Sequence, residues 1–414
     1  MSATEPPDQS PPQGSKHAMV FIFSTVAIDS IGIGLILPVL PDLIVELTDT
    51  TLADAARWGG YLTFIYAVMQ FLCGPAVGNL SDAYGRRPIL LISLAALSLD
   101  YLLMAAAPTL ALLFVGRLIA GVCGATFSTA NAYIADITPS EQRTARFGLM
   151  GAAFGLGFVI GPVIGGLLGE ISPRAPFYAA AFIAALNFIY GYLVLPETLQ
   201  AANRRSFRWA EAIPWRAFQS IIRFPQLKWL LLTVFLYEIG HFVYPSVWSY
   251  FTQEAFGWSS SQVGFSLMAV GIAFVIAQGF LIRPTLRLLG PHKTAVYSLL
   301  VNFIVLSGIG LATSGWMIYA LMPLAAVGAV TGPSLNGLMS PKVSQDRQGE
   351  LQGVLSSIKA LSVIISPLLT TQIFAAFSGE AAPMYFPGAP FLASAVLMLI
   401  ALALLLRSFM SERS

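Results

Sequence analysis

Apolar residues in this chain fill long unbroken windows separated by short polar breaks. A helix needs about 20 such residues to cross the ~30 Å hydrocarbon core of a bilayer. Twelve windows of that kind can be drawn, at 19–47, 57–78, 88–107, 109–135, 144–169, 174–195, 226–252, 261–282, 292–313, 315–340, 349–378 and 386–407. The short period-two alternation of an outer-membrane barrel is missing, so the pattern predicts helices throughout. Most polar breaks are short, but one, at 196–225, is long and contains "NRRSFRWAEAIPWRAF". It divides the windows into two sets of six. The expected layout is a tail at 1–18, a first bundle at 19–195, a linker at 196–225, a second bundle at 226–408 and a tail at 409–414.

Sliding one half over the other gives a constant offset of 205 residues. Gly59 falls on Gly264, Gly85 on Gly290, Asn131 on Asn336, Glu141 on Asp346, Gly148 on Gly353 and Pro162 on Pro367. One register across so many positions points to an internal duplication. In transporters built from repeats, the substrate path lies at the repeat interface near mid-membrane.

Composition agrees with the windows: of 414 residues 56% are hydrophobic and only 10% charged, and the mean hydropathy of +0.75 is that of a multi-pass membrane protein. The first residues, "MSATEPPDQSPPQGSKHA", hold no apolar core and read as a disordered tail, not a secretory signal. Cys73 and Cys123 both fall inside predicted helices, which fits small packed residues better than a disulfide framework or metal site. No metal or cofactor is expected. Outside the windows, Lys and Arg concentrate on one side of the predicted layout, with Arg57 and Arg174 the exceptions. By the positive-inside rule that side and both termini are cytoplasmic. The expected setting is a bacterial inner membrane, the lipid bilayer being the surrounding partner.

The break after the second window, "GNLSDAYGRRPIL", packs an acid, two arginines and two glycines into one loop. The arginines alone would serve as a positive-inside anchor, but such an anchor has no use for Asp82 or the glycines. The segment resembles the loop between helices 2 and 3 of the major facilitator superfamily, roughly G-x-L-(S/A)-D-x-x-G-R-(R/K), with Gly78, Leu80, Ser81, Asp82, Gly85, Arg86 and Arg87 filling the pattern. The resemblance implies a twelve-helix, all-α fold of two pseudo-symmetric six-helix bundles, and a latch between halves at Asp82. The equivalent stretch of the second half, "RPTLRLLGPHK", keeps Gly290 but has Arg287 where Asp82 stands.

Further segments narrow the resemblance. "GLGFVIGPVIGG" carries Gly157, Gly161, Pro162 and Gly165, a bare helix face that suits generic close packing. It also resembles the helix-5 signature of drug:proton antiporters, which implies export. "DSIGIGLILPVLPDL", "SLDYLLMA", "GRLIAG" and "NAYIADIT" resemble the tetracycline efflux branch in particular. Members of that branch carry a coupling His in helix 8 and Asp in helix 9. Here Phe274 and Asn302 occupy those places, so those two roles do not transfer.

Charge at bilayer depth costs about 2.5–3.5 kcal/mol on insertion scales, which makes each such residue a functional candidate. At 1.5 Å per residue, Asp29, Asp100, Glu238 and Lys359 all lie about 15–18 Å into their helices. Asp29 is the first choice for proton coupling, since a carboxyl group there can exchange its proton as water access alternates; the other reading makes it a structural partner of Arg117. Glu238 and His241 share a helix face and form either a proton-accepting pair or a helix-internal hydrogen bond. Asp100 is either a coupling acid or a packing acid satisfied by Asn or Ser. Lys359 either meets an anionic substrate group or snorkels to the surface. Tyr61, Tyr237 and Trp248, with Gln70, Arg117, Asn131, Gln278, Asn302 and Asn336, are the expected lining of an amphipathic cavity.

Three function classes remain. The leading one is a secondary exporter, working as a monomer, that exchanges protons for an amphipathic small molecule, tetracycline-like compounds included. No GxxxxGK(S/T) phosphate loop is present, so the proton gradient is the expected energy source. A same-fold importer of a siderophore or metabolite is the alternative. An intramembrane enzyme or receptor would need a catalytic constellation, yet the chain has 3 His and only His241 lies mid-helix. Nothing in the chain suits nucleic acid.

Overall fold

The computed structural model describes residues 15–124, 126–199, 204–207, 224–380 and 382–411. Residues 1–14 of the expected tail, most of the expected linker and residues 412–414 lie outside the described residues. Every regular element among the described residues is helical. The first half holds α1 (Ser15–Ile36), α2 (Leu40–Thr48), α3 (Leu52–Tyr84), α4 (Arg86–Ala106), α5 (Leu110–Cys123), α6 (Thr126–Ile137), α7 (Ser140–Gly169) and α8 (Ala175–Val194). The second holds α9 (Lys228–His241), α10 (Val243–Phe256), α11 (Ser260–Ile276), α12 (Ile282–Gly310), α13 (Gly315–Gly328), α14 (Thr331–Met339), α15 (Gln348–Ser378) and α16 (Ala389–Ser411).

Several expected single windows are therefore broken. The 19–47 window turns at Leu37–Val39, where Pro38 lacks an N–H and Pro41 sits in the first turn of α2. The 226–252 window bends at Phe242, and the 109–135 and 315–340 windows are interrupted near Gly124 and at Ala329–Val330. These breaks respect the internal register, since residue 37 precedes Phe242, and Gly124 precedes Ala329, by the same 205 positions.

Glycine geometry repeats the correspondence. Gly85 joins α3 to α4 at φ 110°, ψ 156°, and Gly290 interrupts α12 at φ 70°, ψ 165°. Only glycine visits that region without strain. A π-helical turn at Ala277–Leu281 leads into the expected gap between 282 and 292, which is helical except at Gly290. Eleven helical runs among the described residues are thus long and apolar enough to span, against twelve expected, because Ser260–Gly310 counts as one run of 51 residues. At 1.5 Å per residue, that run is long enough to cross the ~30 Å core twice.

Helix starts follow ordinary capping chemistry. Thr51 accepts the Asp54 amide at 3.3 Å at the head of α3, and Ser259 with Gln262 makes a capping box at the head of α11. Cys73 and Cys123 are half-buried and form no disulfide among the described residues.

The halves meet along two main seams, α7 against α11 and α3 against α15. Small residues make the approach close: a Cβ on Gly60 would strike Thr371, and one on Gly264 would strike the Pro162 carbonyl. Toward the arginine-rich face the seams part. A Cβ added at Gly74, Gly78, Gly148, Gly151, Gly279, Gly349 or Gly353 would meet no neighbouring atom. The structure is sealed at one face and open at the other.

Candidate functional site

The sealed face is held by first-half acceptors and second-half donors. Ser260 donates its hydroxyl to Asp42 Oδ2 at 2.5 Å, with Gln253 Nε2 at 3.4 Å from the same oxygen. Ser249 donates to the Leu37 carbonyl at 2.6 Å, across the break between α1 and α2. Glu170 accepts the Ser261 amide at 3.0 Å, so an acid of one half caps a helix of the other. None of these residues was singled out from the sequence. The available signal was the pairing of outer acids with the Ser259-Ser260-Ser261-Gln262 run.

Burial raises the pKa of Asp42, the Ser260 and Gln253 hydrogen bonds only partly offset this, and the nearby Glu170 charge adds to the rise. A group that binds its proton more tightly when the seal is closed favours closure at low pH, and this contribution fades as pH rises through its sealed-state value. Above the ordinary aspartate value of 3.8, the closed fraction of wild type should therefore grow as pH falls. Asp42→Asn should remove the part of that dependence that Asp42 supplies. Spin labels on Thr51→Cys and Glu380→Cys, which face one another at the outer mouth, would report it; an unchanged pH response in Asp42→Asn contradicts the assignment.

At mid-membrane in the first half, Arg117 pairs with Asp100 at 3.1 Å and also donates to Met104 Sδ at 2.7 Å. Its guanidinium lies 5.6 Å from the centre of the Tyr66 ring. Gly116 makes room for the pair: a Cβ there would sit 2.7 Å from Asp100 Oδ1. This corrects two readings. Asp100 pairs with Arg117 through Oδ2 and not with Asn or Ser, its Oδ1 having no hydrogen-bond partner among the described residues, and Arg117 is taken by Asp100 and not by Asp29. Asp29 stands half-buried on α1 in the electrostatic neighbourhood of Tyr66 and Tyr101, with no hydrogen bond or ion pair among the described residues.

Removing one partner of a buried pair strands the other, at a cost of about 3–5 kcal/mol. Arg117→Gln should lower thermal stability in detergent accordingly. The double variant Asp100→Asn with Arg117→Gln should recover most of the loss, and no recovery would contradict the pairing.

In the second half, Glu238, Tyr237, Asn336 and Lys359 line one cavity of ≈ 300 Å³ together with Gln352. His241 lies between the rings of Tyr237 and Tyr244, each centroid 5.4 Å away. Its Nδ1 has no partner among the described residues, so the helix-internal bond to Glu238 is not made. Two expected cavity residues are elsewhere. Asn302 is 2% exposed and gives its amide to Ser298, Gly328 and Thr331, pinning α12 to α13 and α14. Trp248 is 2% exposed and donates to Ser266 at 2.9 Å inside the bundle.

Of the remaining residues, Gln70 bonds the Gly124 carbonyl at 3.0 Å and braces the break after α5. Tyr61 stands exposed beside Trp58 at the sealed-face end of α3. Asn131 is half-buried on α6, and Gln278 is exposed in the π-helical turn.

At the arginine-rich face, Asp82 pairs with Arg86, which also reaches Asp136 at 3.3 Å. The Arg86 and Arg87 amides donate to Glu197 at 2.9 and 3.2 Å, an acid capping α4 that the sequence reading did not single out. Arg87 donates to the Tyr192 carbonyl at 2.8 Å. All these partners belong to the first half or, for Glu197, to the start of the linker. Gly78 of the same loop faces open space.

The helix-5 glycines do two jobs. Gly157, Gly161 and Gly165 lie against the α1 backbone at Ala27, Ile31 and Leu35, while Pro162 and Gly166 touch α11 at Gly264 and Ser260. One helix thus carries both intra-half packing and the seam between halves.

The sequence matches the family model described as Major Facilitator Superfamily over residues 22–367 and 230–413. It is 38% identical over 404 residues to the class C tetracycline resistance protein of Escherichia coli, covering 96% of this chain and 98% of that protein. To the class G protein of Vibrio anguillarum it is 37% identical, covering 95% and 98%. Among solved structures, a bacterial homolog to the human lysosomal transporter Spinster superposes with a TM-score of 0.77 at 16% identity, covering 96% of this chain and 98% of that one.

Proposed function

The chain belongs to the major facilitator superfamily, and from that premise we propose that it exports an amphipathic, tetracycline-like small molecule in exchange for protons. It is a membrane transporter and not an enzyme. The two bundles rock about a site between them, and the structure's sealed and open faces correspond to one end of that cycle. With the arginine-rich face cytoplasmic, the open side admits substrate from within the cell. The substrate class rests on the near-full-length identity with tetracycline resistance proteins.

The observation that carries the coupling mechanism is Asp29, a mid-membrane carboxyl group with no hydrogen bond or ion pair among the described residues. Bound to a proton it is neutral and tolerates a dry site; exposed to the cytoplasm it can release that proton. Glu238 provides a second carboxyl in the other half, where Phe274 and Asn302 stand in place of the branch's usual coupling pair. When the open face closes, Asp82 is placed to exchange its Arg86 contact for a partner across the seam. The protein works as a monomer in a bacterial inner membrane, with both termini cytoplasmic.

Everted membrane vesicles test direction and substrate together. Energised vesicles containing the protein should accumulate tetracycline, and a protonophore should release it. Accumulation in right-side-out vesicles instead would support import.

A further inference from the structure

Lys359 and Glu238 approach the same ≈ 300 Å³ cavity from α15 and α9. Among the described residues neither makes an ion pair, although each lies in the other's electrostatic field. The contrast with the first half is direct: there the mid-membrane cation Arg117 is neutralised by Asp100 at 3.1 Å. In the second half an ammonium and a carboxylate face one cavity without touching.

That arrangement selects by charge. A purely cationic ligand drawn to Glu238 would leave Lys359 repelling it, and a purely anionic ligand would meet the converse. A molecule bearing both an ammonium and an acidic oxygen satisfies both groups and leaves no uncompensated charge in the membrane. Asn336 and Gln352, hydrogen-bonded to each other at 3.2 Å, supply neutral polar contacts beside the pair. Tyr237 and Leu335 supply apolar wall. The volume is at the lower end of the range for small-molecule pockets, enough for the polar end of a ring system.

We propose that Glu238 and Lys359 form a zwitterion clamp: Glu238 takes the cationic group of the substrate and Lys359 its anionic group. The inference rests on the export reading and specifies the charge type of what is exported.

The test uses tetracycline, which has a dimethylammonium and an acidic enol, and 4-dedimethylaminotetracycline, which keeps the rings and enol but lacks the cation. Binding to the purified full chain is read from ligand fluorescence. Wild type should prefer tetracycline by about tenfold, and Glu238→Gln should bind the two alike. Lys359→Gln should weaken both by about tenfold, with Lys359→Arg restoring most of the affinity. Thermal melts identify any variant that fails to fold, and for such a variant Glu238→Ala or Lys359→Met carries the comparison. A preference that survives in Glu238→Gln, or equal binding of the two compounds by wild type, overturns the clamp alone. Binding of neither compound by wild type overturns the tetracycline-like reading and the clamp with it.

Discussion

Asp29→Asn is expected to reduce uphill, proton-driven transport to the level of empty liposomes while leaving substrate exchange down its own gradient. The carboxamide matches the shape of the protonated acid but cannot release a proton, so the bundles still rock and the cycle loses its coupling. Arg117 is held by Asp100 at 3.1 Å, and therefore loss of the Asp29 charge frees no buried cation. The fold should be unaffected and the melting temperature close to wild type. Uphill transport by Asp29→Asn would move the coupling role elsewhere, with Glu238 the next group to examine.

Gly161→Val is expected to produce the largest structural effect. Its Cβ would lie 2.7 Å from the Ile31 carbonyl oxygen and 3.0 Å from Gly34 Cα. Both obstacles are backbone, so no side-chain rotation relieves them and α1 must move away from α7. Overpacking of this kind costs about 3 kcal/mol, and α7 passes the displacement on to α11 at the seam between halves. Gly148→Val makes the same chemical change in the same helix where the added carbon meets nothing. The first variant should express poorly or melt well below wild type, and the second should be close to wild type; equal behaviour would contradict the packing assignment.

Long windows made the helical class and the two halves legible in the sequence, because burial in lipid requires both continuous apolar length and internal hydrogen bonding. The 205-residue offset was legible because Gly85 and Gly290 hold a backbone conformation that other residues avoid. Helix breaks at Leu37–Val39 and Phe242 were not, since apolar windows do not record where the backbone turns. The outer seal was hidden for a different reason. Asp42, Glu170, Ser260 and Ser261 are unremarkable at their own helix ends and acquire meaning only where the halves meet.

Depth in the membrane singled out Asp29, Asp100, Glu238 and Lys359, but depth alone does not assign partners. Arg117 had two candidate acids in the sequence, and the structure pairs it with Asp100, beside the gap created by Gly116. Polar type likewise misplaced Asn302, whose amide closes the end of α13. An asparagine inside a bundle is as useful for satisfying broken helix carbonyls as for meeting a substrate.

The central claim is that a proton gradient drives this chain to move an amphipathic molecule against its own gradient. Purified protein in proteoliposomes, loaded with tetracycline at equal concentration on both sides, tests it when only a pH gradient is imposed. Tetracycline should accumulate on the side from which protons are drawn into exchange and return to equilibrium when a protonophore collapses the gradient. No net movement in liposomes of verified protein content and orientation would contradict proton-coupled export.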